Sequence, residues 1–225
     1  MGQNIGVSVP KMNSVQRDSL SVALTVGAYG SAFGAAAVAD RFTVVQACLL
    51  SLLTFSGASQ FAVVGVMGAG GSAISAIATS TMLGTRNALY GVRMATILQH
   101  RGWKRLIGAQ VTIDESTGVA LSQSSVEQAR QGFWLTGLGV FLFWNVFTVI
   151  GALGAHAIGN PSAWGLDAAV PAAFLGLLWP RLKAKDTWAV AGAAIALSLS
   201  LIPFAPAGVP IISCALIAVI VGWRR

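Results

Sequence analysis

Long apolar runs recur along this chain, with most of the charged residues in the stretches between them, and that alternation leaves little choice of fold. A helix needs about 20 apolar residues to cross a hydrocarbon core roughly 30 Å thick. In lipid a helix also satisfies its own backbone hydrogen bonds, which an open strand does not. The runs read as seven spans: Ser19–Ala39, Phe42–Met67, Ala73–Leu98, Phe133–Ile158, Leu166–Trp179, Thr187–Ile202 and Val209–Trp223. Only 9% of the 225 residues are charged, against roughly 25% in soluble chains. The expectation is an all-α polytopic membrane protein, a single transmembrane domain over residues 1–225. It includes a polar N-terminal segment (1–18) and a polar loop between spans three and four (99–131). Little length remains for a soluble enzyme module.

The second span is longer than a straight crossing requires and contains Ser56-Gly57-Ala58-Ser59-Gln60-Phe61. Hydroxyls, a Gly and a Gln at membrane depth cost free energy unless something polar needs them, so a helix broken near 56–60 is expected there. Pro171 inside the fifth span marks a second break, because proline removes a helical hydrogen bond. In the third span Arg86, Tyr90 and Arg93 share a helical face. A charge within a span costs at least about 2.5 kcal/mol on insertion scales, so Arg86 is either paired and functional or near the boundary. Gly27, Gly30 and Gly34 thin one face of the first span, which lets a neighbouring helix approach closely. Asp114-Glu115, as a bare pair of acids in the polar loop, reads as solvent-exposed, although the mild run Ser116–Ser122 after it could dip toward the membrane.

The net charge of +7 comes from Lys and Arg placed almost entirely between apolar runs, a pattern of membrane topology and not of nucleic-acid binding. Seven spans put Arg41, Arg101, Lys104, Arg105, Arg130, Arg181, Lys183, Lys185, Arg224 and Arg225 on one side, with Lys11 and Arg17 on the other. The positive-inside rule then places the C-terminus in the cytoplasm and the N-terminus outside. With an odd number of spans, one to three and four to six would form a 3+3 inverted repeat with breaks at matching positions, the pattern of a midplane transporter site. Cys48 and Cys214 lie in apolar runs without metal-ligand spacing, and no cofactor signature is present.

Taken in order, Ser56–Ala62, Arg86 with Leu89-Tyr90-Gly91, Asp114-Glu115, Trp144 with Gly151, and the Asp167–Phe174 region with Pro171-Ala172 resemble the AzlC family. That family forms the large subunit of bacterial branched-chain amino acid exporters. The resemblance implies a proton-driven secondary transporter in the cytoplasmic (inner) membrane that works with a small AzlD-type membrane subunit.

For such a substrate the residues suggest roles. A half-helix starting near Ser59 would aim free N–H groups at the carboxylate, with Ser56, Gly57, Ala58, Ser59, Gln60, Asn87 and Tyr90 around it and Arg86 as a rival partner. Carbonyls freed at Pro171 and the acids Asp114, Glu115 and Asp167 are candidates for the ammonium. A desolvated carboxyl among these three could carry the coupling proton. A passive channel and a structural subunit of a larger complex are the competing readings; an enzyme is disfavoured because no catalytic pairing of residues is visible.

Overall fold

The computed structural model describes residues 12–159 and 168–223, together with Ala163 and Gly165. All secondary structure among the described residues is helical. In chain order the helices are α1 (Ser14–Ala39), α2 (Val44–Leu53), α3 (Gly57–Gly68), α4 (Ala73–Leu98), α5 (Trp103–Gln110), α6 (Asp114–Leu121), α7 (Val126–Ile158), α8 (Ala169–Leu178), α9 (Lys185–Leu201) and α10 (Val209–Trp223). Of these, α1 and α7 are long and apolar enough to cross a membrane on length and composition.

The two long helices form the spine, and glycine makes their close approach possible. A Cβ on Gly27 would overlap Phe143, one on Gly30 the Trp144 carbonyl, and one on Gly34 the Thr148 carbonyl; from the opposite side, one on Gly151 would overlap the Ser31 carbonyl. The expected small-residue face of the first span is therefore the contact surface. Contact pairs rise together along both helices, from Val15 with Gly132, through Ala23 with Gly139, to Gly34 with Thr148. Helices α1 and α7 are thus parallel. This corrects the expectation that the fourth span starts on the opposite side of the membrane from the first.

What lies between them explains the parity. Helix α1 opens on an Asn13–Gln16 capping box and α2 on a Thr43–Gln46 capping box, each satisfying two backbone donors that a helix start leaves open. From the far end of α1, α2 turns back along α7, with Ser51 against Thr148 (Oγ to Oγ1 3.3 Å) and Phe55 against Phe141 (ring centroids 4.9 Å). Helix α3 then retraces the path, from Gly57 on the Trp144 indole to Gly68 on the Asp40 carboxylate. With 10 and 12 residues these half-helices are about 15 and 18 Å long, too short to cross. The second apolar run is therefore a re-entrant hairpin that leaves by the end it entered.

Helix α4 runs the other way, until the Ile97 carbonyl accepts from Arg130 Nε (2.9 Å) near the start of α7. From that end a second hairpin rises: Trp134 Nε1 donates to His100 Nε2 (3.0 Å), Val111 lies at 3.0 Å from a Cβ placed on Gly137, and Ile113 joins the core with Val140. Helix α6 returns, with Val119 at 3.1 Å from a Cβ placed on Gly132. The polar loop thus enters the helical core, and Asp114-Glu115 sits at its tip in place of the expected solvent exposure. The charged residues before and after the turn stay at the hairpin's open end, where they lie outside the core.

Helix α8 packs along α3, with Val170 at 3.1 Å from a Cβ placed on Gly65 and Phe174 against Phe61. Pro171 falls in its first turn, where a missing N–H costs nothing, so it starts a helix and does not break one. Helices α9 and α10 pair antiparallel (Ser198 Oγ to Cys214 Sγ 3.0 Å), and Gly208 beside Ser75 places the start of α10 with the start of α4.

Candidate substrate site

Both hairpin tips stop beside the middle of α7, and each must dispose of backbone groups that its half-helices leave open. At the first tip, Thr54, Phe55 and Ser56 are non-helical. Gln60, fully buried, donates from Nε2 to the Ser51 carbonyl (3.2 Å) and accepts at Oε1 from Trp144 Nε1 (3.0 Å). The Leu52 carbonyl accepts from Gln110 Nε2 of the second hairpin (2.9 Å). Two of the orphan carbonyls of α2 are thus capped by glutamines. Ser59 Oγ is also committed, to the Ser80 carbonyl (3.0 Å). At the second tip Ser116 Oγ donates to the Val111 carbonyl (2.7 Å) and accepts from Ile113 N–H (3.1 Å).

Between the tips lies a cavity of about 130 Å³, room for a molecule displacing roughly four waters. Its walls are apolar where α1, α3 and α7 contribute Val26, Tyr29, Phe61, Val140 and Trp144. Polar groups reach it from three elements: Ser56 at the start of α3, Arg86 and Asn87 from the middle of α4, and Asp114 and Glu115 at the start of α6. Arg86 Nη1 donates to Asp114 Oδ2 at 2.8 Å, with the two side chains 34% and 23% exposed. Three further polar atoms here are buried without a partner among the described residues: Ser56 Oγ, Arg86 Nε and Asn87 Oδ1. Buried polar groups without partners are costly and rare, and these supply one hydroxyl, one cationic donor and one acceptor.

The N-termini of α3 and α6 converge on this space, each carrying first-turn N–H groups and the positive end of a helix dipole. Ser56 makes no side-chain cap on α3, which leaves that helix start open. Gly57 permits the approach of the Trp144 ring, which lies 3.1 Å from where a Cβ would stand. Asp114 and Glu115 occupy the first turn of α6, where the dipole favours acids.

Of the residues the sequence singled out, Ser56, Gly57, Ala58, Arg86, Asn87, Asp114 and Glu115 line the cavity together. Ser59 and Gln60 hold the hairpin tip from behind. Tyr90, half-buried, lies one turn further along α4, and Pro171 is exposed at the start of α8; neither is among the described lining residues. Asp167 lies outside the described residues. Sequence reasoning gave no role to Tyr29, Val140 or Ile113, and none in the site to Trp144, whose midpoint position in an aromatic span was the available signal.

A family model described as "AzlC protein" matches residues 21–158, the stretch that holds both hairpins and most of the α1–α7 spine. An "Uncharacterized membrane protein" of Archaeoglobus fulgidus is 33% identical over 195 residues, covering 85% of each chain. The "Inner membrane protein YgaZ" of Escherichia coli (strain K12) is 29% identical over 202 residues, 84% of this chain and 82% of its own length. No solved structure matches significantly.

Proposed function

The chain belongs to the AzlC family of membrane proteins, and from that premise we propose that it is a secondary transporter exporting branched-chain or similar hydrophobic amino acids. Export across the cytoplasmic membrane would be proton-coupled and would involve a small AzlD-type subunit. The observation that carries this reading is the cavity where two half-helix N-termini, Arg86 and two carboxylates meet apolar walls. Broken helices facing each other at mid-depth are how transporters handle charged ligand groups in lipid.

A zwitterion with an apolar side chain matches the inventory. Its carboxylate takes Ser56 Oγ, the first-turn N–H groups of α3 and Arg86 Nε. Its ammonium takes Asn87 Oδ1 and an ionised Glu115 or Asp114, while the side chain faces Val140 and Trp144. Antiport follows from exclusion: a carboxylate that carries a proton cannot also hold the ammonium, so proton and substrate occupy the site in alternation. Asp167 remains a third candidate for the coupling proton. In this reading α1, α4 and α7 cross the bilayer and the hairpins enter half-way from opposite faces. The inverted relation then links α1 and its hairpin to α4 and its hairpin, in place of spans one to three and four to six.

Flux measurements in proteoliposomes, with and without the small subunit, test the reading. Saturable leucine counterflow is expected. Flux that never saturates indicates a channel, and no flux with both subunits present indicates a structural role. Asp114→Asn and Glu115→Gln are expected to abolish proton-driven export, and unchanged transport by both would reject the carrier role.

A further inference from the structure

A second feature extends from the cavity. A groove of about 470 Å³ between the first hairpin tip, α4 and α5 shares Phe55, Ser56 and Asn87 with the cavity wall. At its other end it shares Ala88, Ala109 and Thr112 with a crevice of about 980 Å³ that opens where α4 ends. We propose, building on the transport reading, that this groove is the water-filled route by which substrate moves between the cavity and that crevice.

The chemistry changes along it in a useful order. The crevice carries His100, Arg101, Lys104 and Arg105, with no acid among its described lining residues, so it attracts a carboxylate. The groove is lined with small hydroxyl residues whose protons are already given away: Ser59 to the Ser80 carbonyl, Thr85 to the Met82 carbonyl and Thr112 to the Gly108 carbonyl. Their oxygens remain as acceptors, suited to water and to an ammonium. Ser80, Gly84 and Ala88, at intervals of four on α4, keep that wall thin. Thr81 and Thr85 are exposed, and hydroxyls at this depth are tolerated where they face a wet cavity more than where they face lipid.

Cysteine labelling of the full chain in membrane vesicles of both orientations, with Cys48→Ala and Cys214→Ala as background, tests the route apart from transport. Thr85→Cys and Ala88→Cys should react with an anionic, membrane-impermeant methanethiosulfonate and lose that labelling when leucine is added. Leu142→Cys, from an exposed apolar position at the middle of α7, should stay unlabelled. Ala109→Cys reports from the α5 wall should an α4 variant fail to fold. Lys104→Gln with Arg105→Gln should slow labelling by the anionic reagent and not by a cationic one. No labelling in the groove overturns the route, as does labelling that leucine leaves unchanged in a chain that still exports leucine. Labelling that disappears whenever a second polypeptide co-purifies assigns the groove to a subunit interface and also overturns it. An absence of leucine flux with both subunits present counts against the transport reading, whatever the labels show.

Discussion

At the residue scale the polar break divides into two kinds of side chain that sequence does not separate. Ser56 faces the cavity with its hydroxyl unpartnered among the described residues, whereas Gln60, four residues on, is fully buried and bonded at both ends of its amide. Gln60 ties three elements together, α2 through the Ser51 carbonyl, α3 through its own backbone and α7 through Trp144. Removing it strands a buried carbonyl and a buried indole N–H, each costing about 1–3 kcal/mol, reduced where the membrane offers other partners. Gln60→Ala should therefore lower the thermal stability of the purified protein well beyond what Ser56→Ala does, since Ser56 Oγ has no partner among the described residues to lose. Equal melting temperatures for the two variants would contradict this division. The break itself was legible, because a Gln and two Ser in an apolar run are conspicuous. Which polar atom points forward and which points back depends on Trp144, 84 residues away, and no local pattern encodes it.

At the element scale, the α1–α7 seam was legible and the hairpins were not. Gly27, Gly30 and Gly34 share a face by spacing alone, and a thin face announces a close neighbour. By contrast, a pair of half-helices has the same length and hydropathy as one long span, so Phe42–Met67 reads as a crossing. The second hairpin has charged ends that make it read as a loop; only the mild run after Asp114-Glu115 hinted otherwise. The seam yields a matched pair of tests. A Cβ on Gly34 would overlap the Thr148 carbonyl, while one on Gly154, on the same α7 half, meets nothing within 4 Å among the described residues. Gly34→Ala should destabilise the fold by about 1–3 kcal/mol through overpacking against backbone. Gly154→Ala should be neutral or slightly stabilising, since Ala exceeds Gly in helix propensity. Thermal unfolding in detergent reads both, and a reversed order would show that α1 and α7 do not pack through this face.

At the scale of the whole molecule, the parallel spine changes what the charges say about orientation. Seven successive crossings would put Arg17 opposite Arg101 and Arg130. With α1 and α7 parallel and each hairpin returning to the side it came from, Arg17, Arg101, Lys104, Arg105 and Arg130 gather at the end where both long helices begin, and Arg41 is left at the other. Helix α9, antiparallel to an α10 that starts beside the start of α4, brings Lys183 and Lys185 toward that same basic end. Lys11, Arg224 and Arg225 lie outside the described residues. Because positive residues favour the cytoplasmic side, the basic end should face the cytoplasm, with the N-terminus inside and not outside as seven spans imply. The route inferred above would then open toward the cytoplasm, the side from which an exporter must load. Single cysteines decide it with an impermeant label: Ala69→Cys, beyond the end of α3, should react in intact cells, whereas Met12→Cys and Ser124→Cys should react only in inverted vesicles. Labelling of Met12→Cys from outside, with Ser124→Cys protected, would restore the odd number of crossings. It would also mean that α1 and α7 do not lie parallel in the membrane.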